Sequence, residues 1–387
     1  MPHELEGQLH WHEPAGLSPA GARRYARPPR AHDRFMAEEA IPVLRAASVP
    51  SLLAVELAPW RRLAGRGAFL QLFGTEGALG CCLIEIPAGG TLRPEKHLCE
   101  EVLLVLEGRG TTELWLDGDS DRVVFEWQPG TLFAIPPNAL HRFVNAGTEP
   151  ALLLSGSNLP AVLNQLGDVD AVFANSFAFR SRFDDETGRA FDEIEPDSIS
   201  GLALCRTSLL PDALTCDLPL DNRPSPGYRQ MALGMTGEGF RCVLGEHRPG
   251  RYSRGHLLAQ SSVVVCLRGA GYVLLWPERV GPAPSSEVVR VELERFAMFA
   301  AGPGGGRWYH QIFNTGKAPL RLLSWSVPDR PQGPPGEEER DEIVVELADG
   351  GTMIPYWMED PQLRMDYAAA SVLNRMRPDD YQAPDAI

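Results

Sequence analysis

One pattern occurs twice in this chain of 387 residues, and the repeat restricts the folds that the chain can adopt. Residues 106–115 resemble residues 267–276 at an offset of 161 residues. Further along, His141-Arg-Phe-Val-Asn-Ala-Gly resembles His310-Gln-Ile-Phe-Asn-Thr-Gly at an offset of 169 residues, and the extra eight residues fit a longer loop at 277–287. Two matching blocks in the same order indicate that one structural unit has been duplicated.

Each copy contains short runs of β-branched and aromatic residues separated by Gly, Pro and Asp-Gly turns, a pattern that is typical of strands and hairpins. In the first copy these runs are residues 80–87, 102–106, 111–115, 123–127 and 131–135. We therefore predict a mainly β protein with two tandem barrels. The predicted divisions are an N-terminal arm and lead-in (1–65), a first barrel (66–157), a short helical connector (158–227), a second barrel (228–328), and a C-terminal linker and helix (329–387).

Two further helices are predicted outside the barrels. The first covers residues 33–47 of the lead-in, where Asp33 is a suitable N-cap. The second covers residues 361–377 of the tail. We expect the tail helix to pack either on a barrel or on a partner subunit, and the sequence leaves both arrangements open.

The composition narrows the set of partners and compartments. The formal net charge of −15 argues against nucleic acid or an anionic membrane as a partner, because both require a cationic surface. Apolar runs fall short of the roughly 18 residues of a membrane span, and the first residues lack the pattern of a signal peptide. The seven cysteines form no CxxC pair, which favours reduced thiols. We therefore expect a cytoplasmic protein with a small-molecule substrate, and we expect a homodimer.

Two motifs in the first half resemble those of the cupin superfamily, and the doubled pattern resembles a bicupin. The residues that carry the resemblance are Gly89-Gly90, Glu95-Lys-His97, Glu101 and Gly108 in the first motif, and Gly130, Pro136-Pro-Asn138, His141 and Asn145 in the second. The resemblance implies two jelly-roll barrels and metal ligands at His97, Glu101 and His141. Glu95 stands at the fourth ligand position in place of a histidine. Asn138 replaces a turn glycine, and asparagine tolerates that geometry.

The residues themselves also favour a metal site. Residues 95, 97 and 101 share parity, so on a continuous strand they face one side of a sheet. His141 begins another predicted strand, and inside a barrel its imidazole can meet the other ligands. Two imidazoles and one carboxylate suit Fe(II), then Mn(II), with Zn(II) as a further alternative. Glu95 is predicted either to bind the ion or, if it stays unbound, to act as a general base beside it.

The same pattern is incomplete in the second half. The glycine-anchored alignment places His256 opposite Glu95 and His310 opposite His141, whereas non-ligating residues stand opposite His97 and Glu101. Anchoring on the histidine instead places Gln260 at the carboxylate position, and His247 on the preceding strand is a substitute ligand. Two imidazoles hold a metal weakly compared with a full set, so we expect the second barrel to be mainly structural.

The resemblance leaves several functions open, since doubled cupins include ring-cleaving dioxygenases and decarboxylases. The first expectation is an Fe(II) dioxygenase, an oxidoreductase that acts on a small organic substrate, aromatic or carboxylate-bearing. In this hypothesis Glu95 is catalytic, and Arg93 or Arg142 pairs with a substrate carboxylate. The alternatives are a metal-dependent decarboxylase, isomerase or lyase, and a non-catalytic ligand-binding bicupin.

Overall fold

The computed structural model describes residues 29–188, 195–196, 203–237, 239–258, 261–284, 287–304, 306–327 and 345–375. Strands dominate these residues, and two similar β units follow each other along the chain, which confirms the predicted fold class. The helices are α1 (Ala31–Glu39), α2 (Leu159–Leu166), α3 (Val169–Phe173), α4 (Arg180–Gly188) and α5 (Pro361–Leu373). None of these described helices has the length and apolar character needed to cross a membrane.

The first barrel is built from two sheets that enclose its interior. The strands up to its end are β1 (Val43–Ala46), β2 (Ser48–Val49), β3 (Ala58–Trp60), β4 (Gly65–Leu72), β5 (Gly80–Ile86), β6 (Glu101–Glu107), β7 (Gly110–Trp115), β8 (Val123–Trp127), β9 (Leu132–Ile135), β10 (Leu140–Asn145) and β11 (Ala151–Ser157). The larger sheet has the order β1-β4-β5-β11-β6-β9, and the smaller has the order β10-β7-β8. Along β10, His141, Phe143 and Asn145 are buried and the residues between them are half-buried, so alternate side chains point inward.

The second barrel repeats this plan. The strands that follow are β12 (Glu195–Pro196), β13 (Ala203–Arg206), β14 (Leu209–Leu210), β15 (Arg229–Gly234), β16 (Arg241–His247), β17 (His256–Leu258), β18 (Ser262–Arg268), β19 (Gly271–Pro277), β20 (Val289–Leu293), β21 (Met298–Ala300), β22 (Trp308–Asn314) and β23 (Leu320–Ser326). Gly271 pairs with Asn314 between β19 and β22, as Gly110 pairs with Asn145 between β7 and β10. The longer loop lies between β19 and β20, where the sequence predicts it.

The two barrels share one hydrophobic core and exchange short strands. The shared core joins side chains of the two larger sheets, such as Leu104 and Leu154 of the first barrel with Leu244 and Val265 of the second. Strand β14 of the connector pairs with β9 of the first barrel, and β2 of the lead-in pairs with β21 of the second. The lead-in and the connector therefore tie each barrel to the other.

A glycine on β11 makes close contact between the barrels possible. A Cβ atom at Gly156 would lie 2.4 Å from Cε3 of Trp325, a fully buried residue of the second barrel. We expect Gly156→Ala to lower the free energy of unfolding by about 1–3 kcal/mol, because overpacking forces backbone or ring displacement. Gly234→Ala is the matched control, since its nearest neighbour would lie at 3.4 Å. Urea unfolding of both variants measures the effect, and equal midpoints would contradict it.

The C-terminal helix packs on the second barrel of its own chain. Helix α5 spans Pro361–Leu373, which confirms the predicted tail helix. The Tyr367 hydroxyl donates to the Asn314 carbonyl at 2.7 Å, and the Tyr252 hydroxyl donates to the Glu359 carboxylate at 3.0 Å. These residues join an aromatic cluster on the outer face of β19 and β22. The tail therefore covers apolar surface that the second barrel would otherwise expose to water.

The lead-in helix is shorter than predicted. Helix α1 ends at Glu39, and Ala40 adopts the left-handed conformation at φ 55° that closes many helices. Pro42 follows, and residues Val43–Ala46 form β1 instead of a further helical turn, pairing in parallel with β4. The proline and the sheet partner together override the helical pattern that continues to residue 47.

Candidate metal centre

His97, Glu101 and His141 form a buried cluster inside the first barrel. One ligand atom from each residue lies within 4.8 Å of those of the other two, and no other described group of His, Cys, Asp and Glu meets this condition with three members. Two backbone hydrogen bonds join Glu95 and His141, at 3.0 and 2.9 Å, so the segment before β6 lies against β10. This pairing brings His97 and Glu101 next to His141.

Backbone carbonyls orient both imidazoles. Nδ1 of His97 lies 3.1 Å from the Cys99 carbonyl, and Nδ1 of His141 lies 3.2 Å from the Ala139 carbonyl. An Nδ1–H that donates to a carbonyl leaves the Nε2 lone pair available, which is the usual arrangement of metal-binding histidines. Nε2 of His141 is buried and has no hydrogen-bond partner among the described residues. The cluster therefore offers a nitrogen that a divalent cation would satisfy.

The two buried carboxylates of the cluster stay ionised. Burial alone would raise the pKa of Glu101, but its hydrogen bond to His97 and the charges of both imidazoles outweigh burial and lower this pKa. Oε2 of Glu101 lies 3.1 Å from Nε2 of His97, and Ser155 donates a hydrogen bond to Oε1. Burial acts against protonation of His97, yet its contacts with Cys99 and Glu101 raise its pKa well above the usual value. A divalent cation can replace that proton, since metal binding releases protons from its ligands.

Glu95 faces the cluster but is held by an arginine. Its Oε1 lies 3.8 Å from Nε2 of His141, which is too long for a hydrogen bond, whereas its Oε2 lies 2.6 Å from Nη1 of Arg62. Burial would raise the pKa of Glu95, but Arg62 and the two imidazoles lower it to about 2. Glu95 is therefore an ionised carboxylate beside the three clustered ligands and not one of them.

The sequence gives no signal for Arg62, which the structure brings next to the site. Its guanidinium also forms an ion pair with Glu39 at 3.2 Å. It lies over the rings of Phe173, Phe35 and Trp60, at 4.5, 5.3 and 5.6 Å from their centroids. Arg62 belongs to the turn after β3, outside both repeated motifs, and the alignment of the two halves gives it no equivalent.

The two arginines predicted to bind substrate do not reach the cluster. Arg93 is exposed, and its guanidinium donates to the Arg61 carbonyl at 3.0 Å. Arg142 alternates with His141 along β10, so its side chain lies on the opposite face of the sheet. There it forms a two-pronged pair with Glu113, with both N–O distances at 3.0 Å. The structure thus brings together His97, Glu101, His141 and Glu95 but neither of these arginines.

Asn138 takes the place of a glycine in the turn before β10. Its φ of 58° is left-handed, as expected for the residue that replaces a turn glycine. Its side-chain amide donates to the backbone carbonyl of Asn175, at 3.0 Å, and to that of Phe177. The turn that precedes His141 is therefore anchored to the segment after α3.

The histidines of the second barrel are also buried, but they form a different kind of site. His256 and His310 pair in register, and their ring centroids lie 3.9 Å apart. His247 packs against the ring of Tyr228 at 4.6 Å. Burial, together with neighbouring imidazoles, lowers the pKa of His247 to about 3, and burial lowers that of His256 to about 4. Gln260, the other predicted substitute ligand, lies outside the described residues.

The pKa of His310 is also lowered, chiefly by burial and then by the charge of His256. All three imidazoles are therefore neutral near neutral pH. Leu258 and Ser262 occupy the positions that correspond to His97 and Glu101, so no carboxylate completes the set. These contacts agree with the prediction that the second barrel is mainly structural.

Comparison with known proteins identifies the first barrel. The family model for the cupin domain matches residues 82–156, which include all four residues of the cluster and its neighbour Glu95 except none beyond these bounds. The first barrel is a cupin domain, and the repeat makes the chain a bicupin in architecture. No curated protein matches the sequence significantly.

Several solved structures are similar in fold. Salicylate 1,2-dioxygenase from Pseudaminobacter salicylatoxidans is 17% identical, with 65% of this chain and 71% of that chain covered and a TM-score of 0.43. A mutant oxalate decarboxylase from Bacillus subtilis is 11% identical, with 74% and 78% covered and a TM-score of 0.45. Vicilin from Corylus avellana is 13% identical, with 65% and 75% covered and a TM-score of 0.40. Similarities of this size carry no information about the reaction of this protein.

Proposed function

We propose that the protein is a metal-dependent enzyme whose active centre lies in the first barrel. His97, Glu101 and His141 are the proposed ligands, and Fe(II) is the preferred ion, followed by Mn(II) and then Zn(II). The observation that carries this proposal is the buried Nε2 of His141, which has no hydrogen-bond partner among the described residues. An unsatisfied buried polar group costs about 1–3 kcal/mol, and a bound cation removes that cost.

The proposed reaction is a dioxygenation of a small organic substrate, aromatic or carboxylate-bearing. A ferrous ion with three protein ligands keeps positions open for a chelating substrate and O2, and it supplies the redox chemistry. Apolar rings line the centre, since Phe143 lies 5.4 Å from His141 and Phe173 lies 6.3 Å from His97, measured between centroids. Such a wall excludes water and suits a planar substrate.

Within this proposal Glu95 is the general base. Its carboxylate is ionised, lies beside the three ligands and keeps Oε1 free of the Arg62 pair, so it can accept a proton from a substrate hydroxyl. We assign no substrate-binding role to Arg93 or Arg142, because their side chains are engaged at Arg61 and Glu113.

Replacing Glu95 separates its proposed role from that of the ligands. We expect Glu95→Gln to retain the metal ion and to lower kcat by about 10²–10⁴-fold, the range for loss of a general base. Metal content by mass spectrometry and steady-state turnover measure the two effects. Loss of the metal together with the activity would place Glu95 among the ligands instead.

An oxygen electrode tests the proposed reaction. The apoprotein is loaded with Fe(II) without oxygen and then mixed with benzoates and hydroxybenzoates in aerated buffer. Substrate-dependent O2 uptake that requires Fe(II) supports a dioxygenase. A second candidate is a decarboxylase, isomerase or lyase on the same centre, which the ionised, unligated Glu95 favours. That candidate predicts turnover without O2 uptake, whereas metal retention without turnover indicates a non-catalytic ligand-binding protein.

We also propose that the protein acts as a homodimer on a small-molecule substrate in the cytoplasm. The net charge of −15 remains the reason to exclude nucleic acid and anionic membranes as partners. Analytical ultracentrifugation tests the dimer, and a monomer at micromolar concentration would overturn it.

A further inference from the structure

A buried cation lies immediately behind the proposed general base. The Arg62 guanidinium is fixed between two carboxylates, with Nη1 at 2.6 Å from Glu95 and Nε at 3.2 Å from Glu39. Three aromatic rings surround it, and the nearest is that of Phe173 at 4.5 Å. Phe173 also makes an edge contact with His97. The arginine is therefore held rigidly by elements that also wall the cluster.

The position that Arg62 controls is one from which a carboxylate could bind metal. Backbone hydrogen bonds at 3.0 and 2.9 Å hold the Glu95 segment against His141. Oε1 of Glu95 lies 3.8 Å from Nε2 of His141, close enough that a small rotation would bring it to an ion bound there. Carboxylate oxygens are good ligands for Fe(II) and Mn(II). Some other interaction must therefore keep Glu95 apart if the centre has three protein ligands.

We propose that Arg62 is a positioning residue that holds Glu95 out of the coordination sphere and so sets the number of open positions on the metal. This inference rests on the proposed metal site. The short Arg62–Glu95 ion pair is charge-assisted and competes directly with the cation for the same carboxylate. Without Arg62, the negative charge of Glu95 has the metal as its nearest strong partner, and one open position is lost.

The test removes the arginine without leaving two unpaired buried charges. Arg62→Met alone would strand Glu39 and Glu95, and breaking a buried ion pair is strongly destabilising. The test variant is therefore R62M combined with E39Q. The single variant E39Q is the control, because it keeps the contact between Arg62 and Glu95. The triple variant R62M/E39Q/E95Q removes the carboxylate that the proposal says is released.

Mn2+ is the probe, and its affinity and water relaxivity are the measurements. We expect R62M/E39Q to bind Mn2+ about 10–100-fold more tightly than E39Q, the range by which residues around a metal site change affinity. The relaxivity of bound Mn2+ should fall by about one third, since Glu95 replaces one of three waters in an octahedral centre. The triple variant should return both values toward those of E39Q.

The outcomes separate this inference from the proposed function. Unchanged affinity and relaxivity in R62M/E39Q would overturn the positioning role while leaving the three-ligand centre intact. Failure of the wild-type protein and of E39Q to bind Mn2+ would instead contradict the metal site itself. If R62M/E39Q does not fold, Arg62→Lys replaces it; partial tightening of Mn2+ binding supports the role of the two-pronged guanidinium, and wild-type values in both measurements contradict it.

Discussion

Replacing His141 with alanine should lower the affinity of the protein for its divalent ion by at least about 100-fold, so that the purified variant contains no stoichiometric metal. His141 contributes the buried Nε2 that has no other partner, and its Nδ1 is already oriented by the Ala139 carbonyl. His97→Ala should have the same effect, since only two ligands would then remain. Elemental analysis of protein purified without a histidine tag measures the loss.

His256→Ala is the matched control for this experiment. His256 is also a buried imidazole on a barrel strand, and Nδ1 lies 3.2 Å from the Arg254 carbonyl, as in the first-barrel histidines. Its neighbours are other neutral histidines instead of a carboxylate, so its removal should change the metal content little. Equal loss of metal from His256→Ala and His141→Ala would move the centre to the second barrel.

Replacing His247 with isoleucine should make the protein markedly more resistant to acid. The pKa of His247 is lowered to about 3 in the folded protein, by burial first and then by the charge of His256. The unfolded chain binds a proton at an ordinary pKa near 6.5, so folding is favoured above pH 6.5 and loses stability as pH falls toward 3. At pH 4.5 this single group removes about 2–3 kcal/mol of stability.

Isoleucine suits the site because Ile86, fully buried, occupies the equivalent end of β5 in the first barrel. The groups that face His247 are Tyr228, His256 and His310. Urea unfolding at pH 7 and at pH 4.5 measures the difference between the variant and the wild type. A loss of stability on acidification that is the same in both proteins would show that His247 is not kept neutral by the fold.

Much of the architecture follows from the repeat. The alignment of the two halves predicts which residues pair across each smaller sheet, because β7 with β10 and β19 with β22 keep the same register. Spacing also predicts that His97, Glu101 and His141 converge, since parity on a strand fixes the side that a residue faces. The αL turn at Asn138 was predictable because asparagine tolerates that conformation.

Other features depend on contacts that spacing does not encode. Arg62 reaches the site from the lead-in, through a fold of the chain that brings β3 and α3 together around it. Arg142 looked suitable because it adjoins His141, yet alternation along β10 places it on the outer face beside Glu113. The exchanged strands β2 and β14 have two residues each, which is too short for a periodic pattern.

The most direct test of the metal centre is a crystal structure of the protein loaded with Mn2+, with anomalous diffraction data to locate the ion. We expect one strong anomalous peak in each chain, within about 2.0–2.3 Å of a nitrogen from His97, a nitrogen from His141 and an oxygen from Glu101. Glu95 should remain paired with Arg62. A peak in the second barrel alone, or no peak between these three side chains at full loading, would contradict the proposed centre.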